Sequence, residues 1–195
     1  MKKTLRGTVV AVLFVCLAWF APAEAGGHVI NAEKSSIRVH VYKTGFFSAF
    51  AHNHEVEAPI DSGEVIEDGN PSADLHVDAR KLHVLDPEAS VDTRAQIQAT
   101  MQGPQVLDAD RYPEIHFRST MVAPDGTDHW RVSGNLDLHG QTHPIAIEVS
   151  FKDGVYQGSA ELKQTAFGIT PVTVAGGTVK VKDELHIEFQ IELAK

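Results

Sequence analysis

Six stretches of this chain alternate apolar and polar residues with a period of two, the spacing of a half-buried β-strand. Ile37, Val39 and Val41 alternate with Arg38, His40 and Tyr42. Leu75, Val77 and Ala79 alternate with His76, Asp78 and Arg80, and Ile115 and Phe117 with His116 and Arg118. Further along, Trp130, Val132, Leu136 and Leu138 form one set, and Ile145, Ile147, Val149 and Phe151 another. The last is Leu185, Ile187, Phe189, Ile191 and Leu193. Successive side chains on a strand point to opposite faces, so all six stretches need a shared apolar interior.

Turn chemistry separates the runs. Asp68-Gly69-Asn70-Pro71, Pro124-Asp125-Gly126, His139-Gly140-Gln141 and Asp153-Gly154 all break the alternation, as hairpin connections do. Short turns between consecutive strands predict an antiparallel meander, closed as a barrel or folded as a sandwich. One stretch departs from the rhythm. Ser90 to Met101 carries helix formers with polar residues near its start, including Asp92, and Gly103-Pro104 ends it. A short helical turn is expected over residues 104–110. No repeat or linker interrupts the chain, so one domain is expected.

The start reads as an address. Lys2, Lys3 and Arg6 precede an apolar run from Thr8 to Phe20, and Ala23-Glu24-Ala25 supplies a small-x-small cleavage pattern. The run is shorter than the ~20 residues of a membrane-spanning helix. The reading is a cleaved signal peptide over residues 1–25 and a mature domain over 26–195, periplasmic or secreted, without stable membrane insertion. The one cysteine, Cys16, lies in the leader, so the mature domain is expected to stand on its core alone. Without Lys2, Lys3, Arg6 and Glu24 the chain keeps 14 basic and 25 acidic residues, a formal charge of −11. That sign repels phosphate backbones, and nucleic acid is excluded as a partner.

Candidate functional residues follow from parity. On the inner face, Ile115, Phe117, Trp130, Val132, Ile145, Ile147, Phe151, Ile187 and Phe189 either line a cavity or fill the barrel. Phe46, Phe47 and Phe50, flanked by glycine and serine, form either a lip at the cavity mouth or a plug. His52 and His54 would share one face of an extended segment, and a His-x-His pair can give two ligands to a divalent metal. Glu55, Glu57, His139 and His143 are the residue types available to complete such a site. The alternative is a polar strand start at the barrel rim. His40, His76, His116 and His186 fall on the polar faces of their strands and read as solvated outer positions. No G-x-S-x-G elbow or Gly-rich phosphate loop is present, so no enzyme and no required cofactor are expected.

Four segments together resemble the YceI family. They are Thr93 to Ser119, ending D-A-D-R-Y-P-E-I-H-F-R-S; V-S-G-N-L-D-L-H-G-Q-T-H-P-I-A-I-E-V at Val132 to Val149; F-G-I at Phe167 to Ile169; and the terminal V-K-V-K-D-E-L-H-I-E-F-Q-I-E-L. The resemblance implies a mainly β fold, an antiparallel lipocalin-like barrel of about eight strands with one helix near its mouth. It also implies an elongated apolar cavity holding a polyisoprenoid, quinone or related amphiphile. The chain departs from the family pattern at His28, where a tryptophan is usual, at Val106-Leu107, where aromatics are common, and at Gln164, where a basic residue is common. The expected function is therefore a periplasmic binding protein for an apolar amphiphile, including fatty-acyl chains. The alternative is a metal-handling protein using His52 and His54. The expected partner is a small apolar ligand, with a homodimer left open.

Overall fold

The computed structural model describes residues 26–44, 53–174 and 179–194. Residues 1–25, where a leader is expected, the expected mouth residues Phe46, Phe47 and Phe50, and His52 all lie outside the described residues. Among the described residues, twelve strands form one antiparallel sheet. They are β1 (His28–Val29), β2 (Ser36–Thr44), β3 (His54–Glu57), β4 (Ile60–Ile66), β5 (Ser72–Asp78) and β6 (His83–Val84). After the helix come β7 (Glu114–Pro124), β8 (His129–Leu138), β9 (Gln141–Lys152), β10 (Val155–Lys163), β11 (Thr173–Val174) and β12 (Val179–Glu192). Every alternating stretch of the sequence lies in one of them, except that Ala79 already begins a 3-10 turn, Ala79–Lys81, and Leu193 falls one residue past β12.

The strand order is β1-β4-β5-β7-β8-β9-β10-β12-β2-β3-β6, with β11 on β12. Three of these strands have only two residues, which leaves nine longer ones against the expected number of about eight. The longer strands form a ring. β3 pairs with β2 while β4 pairs with β5, and only Ala58 and Pro59 separate β3 from β4. The run from His54 to Ile66 therefore crosses from one side of the sheet to the other and joins its two ends. At the far end of β12, Ile30 bridges Leu193 while β1 pairs with β4, a second tie across the seam.

Two hairpins are as tight as their sequences require. Leu138 pairs with Gln141 across His139-Gly140, and Lys152 pairs with Val155 across Asp153-Gly154. All four loop residues have positive φ, the condition of a type I′ turn that matches strand twist.

The helix α1 (Val91–Gln102) starts at Ser90, whose hydroxyl accepts a hydrogen bond from Thr93 N at 3.2 Å. Asp92 sits in the first turn and is not the cap. The Gly103 N–H closes the last turn on Ala99 O. None of its residues is buried, so packing alone does not hold it. Gln98 both accepts from Val84 N and donates to Leu82 O at 2.8 Å, and Gln102 donates to Arg80 O at 2.7 Å. These side chains satisfy backbone groups at the β6 edge and fasten the helix across one end of the barrel. Residues 104–110 form turns in place of the expected helical turn, because the Leu107, Asp108 and Ala109 N–H groups return to Met101, Gly103 and Gln102 carbonyls and Asp108 has φ 44. Beneath the helix, Val56, Val77, Leu82, Val84, Leu136, Leu138 and Phe167 form the main buried cluster, with Ile97 and Met101 of α1 packed on it.

Candidate functional site

The barrel is hollow. Its interior holds a cavity of about 840 Å³, within the ~300–1,000 Å³ range of small-molecule sites. Ile115, Phe117, Trp130, Val132, Ile145, Ile147, Ile187 and Phe189 all border it. Ile37, Val39 and Val41 of β2 contribute beside β12, and Thr93, Gln96, Ile97, Thr100 and Met101 of α1 cover one end.

Phe151 is the exception among the expected lining residues. It keeps the inner parity but pairs with Tyr156 on the second rung from the tip of the β9–β10 hairpin, past the end of the cavity. There its side chain is 36 % exposed and its ring packs 4.7 Å from that of Tyr156. Tyr156, not Phe151, closes the floor, 6.0 Å from Trp130 and donating its hydroxyl to Glu67. Burial, reinforced by the neighbouring Glu67 carboxylate, pushes the Tyr156 phenol far above its usual range, so it remains a neutral donor.

The lining is hydrocarbon along the barrel and polar at the end where β2 finishes and β12 begins. Lys43, His54, Asp86, Gln164 and Lys180 border the cavity there. Asp86 and Gln164 are the buried polar residues among those described, and each is satisfied. Asp86 accepts from Glu55 N at 2.9 Å and faces His54 Nδ1 at 2.5 Å, while Gln164 donates to Lys182 O at 2.8 Å. Asp86 carries no signal in the sequence, where it is one acid among many.

The metal donors anticipated around His54 do not converge on it. His54 Nδ1 is committed to Asp86, Glu55 pairs with Arg38, and Glu57 with His83 at 2.9 Å. His139 Nδ1 meets Phe167 O at 3.0 Å, and the His143 ring packs edge-on to Phe167. The Asp74, His76 and His116 side chains do converge, on the outer face. Parity places His76 and His116 outside the barrel, and register makes them direct partners across β5 and β7.

The F-G-I element has a structural task. Phe167 and Ile169 are buried in the main cluster, and Gly168 between them has φ 71. The left-handed conformation favours glycine, while the nearest atom to a Cβ there, Gln141 Nε2 at 2.4 Å, ends a flexible side chain that can move aside.

Comparison with known proteins agrees with this architecture. The model of the YceI-like domain matches residues 28–193. A UPF0312 protein of Vibrio parahaemolyticus is 29 % identical over 206 residues, covering 96 % of this chain and 98 % of that protein. One from Vibrio cholerae is 28 % identical over 208 residues with the same coverage of both chains, 96 % and 98 %. Among solved structures, Burkholderia cenocepacia BcnA superposes with a TM-score of 0.62 at 20 % identity, covering 85 % of this chain and 99 % of that one. The Campylobacter jejuni YCEI protein gives 0.50 at 12 % identity, with 98 % and 94 % covered. The fold, the order of its motifs and the span of the family match lead to one conclusion: this chain belongs to the YceI-like domain family.

Proposed function

We propose that this chain is an exported binding protein, periplasmic once its leader is removed, that shelters the hydrocarbon tail of an amphiphile inside the barrel. A polyisoprenoid, a quinone or a fatty-acyl chain fits the description. The observation that carries this reading is the hollow interior, apolar along its length and open to a ligand-sized volume. Each buried methylene contributes about 0.8 kcal/mol, so a long tail is held firmly with few polar contacts. The groups at the β2–β12 end then receive the head: Lys43 and Lys180 offer cationic donors, and His54 an imidazole held in place by Asp86. The leader pattern at residues 1–25 supports export.

The test is extraction of the natively purified protein with organic solvent, followed by mass spectrometry. A stoichiometric apolar amphiphile is expected. A protein that yields none, and that takes up neither ubiquinone nor palmitate on incubation, contradicts the reading.

A further inference from the structure

We propose that Asp74, His76 and His116 form a binding site for a divalent transition metal of the zinc–copper class on the outer wall of the barrel. The site is independent of the cavity's ligand. Leu75, Val77, Ile115 and Phe117 face the interior, so the intervening residues of β5 and β7 point outward. Register then does the rest. His76 lies directly opposite His116, and their rings stack with centroids 4.1 Å apart and planes 8° from parallel. Asp74 stands two residues before His76 on the same face.

The donor atoms already meet. Oδ1 of Asp74 is 3.1 Å from His76 Nε2 and 2.9 Å from His116 Nε2, and one ligand atom from each residue lies within 4.8 Å of the others. Ligands at about 2.0–2.1 Å from tetrahedral zinc stand about 3.3 Å apart. The trio needs only a tilt of the two rings, so that each plane contains the ion. A fourth position faces solvent.

The surroundings match those of a metal-binding histidine pair. Such histidines usually place a carboxylate or carbonyl on the ring nitrogen that does not bind the ion. Here His76 Nδ1 faces Glu114 at 3.3 Å, and His116 Nδ1 faces Asp137 at 3.5 Å. The second oxygen of Asp74 accepts from Arg118 Nε at 2.8 Å, which orients the carboxylate and leaves Oδ1 to the site. All three ligand residues are half-buried, with His116 only 16 % exposed. Two imidazoles and one carboxylate suit zinc, copper or nickel rather than magnesium or calcium, and copper binds tightest in the usual series.

The other cross-strand histidine pair shows what is missing elsewhere. His40 and His186 are also direct partners. Their ring centroids are 6.0 Å apart, and they approach different oxygens of Glu188, at 3.4 and 3.3 Å. No single point is shared.

The experiment is calorimetric titration of the untagged protein with zinc chloride, repeated with copper chloride. The parent is expected to bind one equivalent. His116→Gln should weaken binding at least tenfold, His76→Gln with His116→Gln should abolish it, and His40→Gln should leave it unchanged. Nuclear magnetic resonance of the parent's imidazole signals needs no variant, and zinc should shift His76 and His116 first. A parent that binds no metal overturns the proposal. So does binding that survives the double substitution, or zinc-induced shifts confined to other histidines.

Discussion

Nδ1 of His54 stands 2.5 Å from Oδ2 of Asp86, and the carboxylate's other oxygen accepts the Glu55 backbone N–H. One buried acid thus fixes both a strand and the imidazole at the polar end of the cavity. Asp86→Ala leaves the Glu55 N–H without its acceptor and should destabilise the fold by about 1–3 kcal/mol. Asp86→Asn keeps an acceptor oxygen and should cost less. Urea unfolding midpoints of the two variants, at unchanged slope, check the order.

Ala160 borders the cavity between Ile147 and Ile187 on the flanking strands. Ala160→Phe places a ring in the empty volume. Overfilling a close-packed core costs about 1–3 kcal/mol, whereas a hollow barrel should accept the ring with little change in thermal midpoint. Ubiquinone affinity should fall at least tenfold in the same variant, measured by equilibrium binding.

Gly134 faces inward between Val132 and Leu136, and a Cβ there would stand 2.4 Å from the Phe117 ring and 2.6 Å from Arg118 O. Gly134→Ala should destabilise by about 1–3 kcal/mol. Phe117→Leu in the same chain should restore only part of that, because the Arg118 carbonyl cannot move aside. Thermal or chemical unfolding of the single and double variants gives the comparison.

Acid sensitivity should be concentrated in a narrow window. The hydrogen bond from the Arg80 side chain holds the Asp78 carboxyl at about 2, against about 3.9 for a free aspartate. Its contribution is complete above about pH 4 and is lost as pH falls through about 2. Thr165 lowers Asp183, and His186 with His40 lowers Glu188. At Asp74 burial pushes upward, but the contacts of His116 and Arg118 outweigh it. Urea midpoints should therefore be flat from pH 7 to 5 and fall below pH 4, with a shallower fall in Asp78→Asn.

The inner wall was legible because parity is a local property. Each of β2, β5, β8, β9 and β12 presents its apolar set to the cavity without knowledge of its neighbours. Phe151 misled for the same reason: alternation says which face a residue takes, but not how far along the barrel the cavity extends. The histidine pair needed register. His76 and His116 belong to strands separated by a 3-10 turn, β6 and α1, so no short turn fixes their alignment. At Ser119 to Met121 the register of β7 shifts. Met121 becomes exposed at 57 % and Val122 turns to the cavity, an inversion that alternation alone cannot foresee.

Binding by the hydrocarbon wall of a hollow barrel is read directly from the tryptophan at that wall. Trp130 borders the cavity, and the chain's other tryptophan is Trp19, within the expected leader. Trp130 fluorescence should be followed while the protein is titrated with ubiquinones of increasing isoprenoid length. Saturable quenching is expected, with affinity that tightens at each added isoprene unit, by up to several hundredfold at about 0.8 kcal/mol for each of its five carbons, until the cavity is filled. Absence of quenching, or affinity independent of tail length, would contradict binding by that wall.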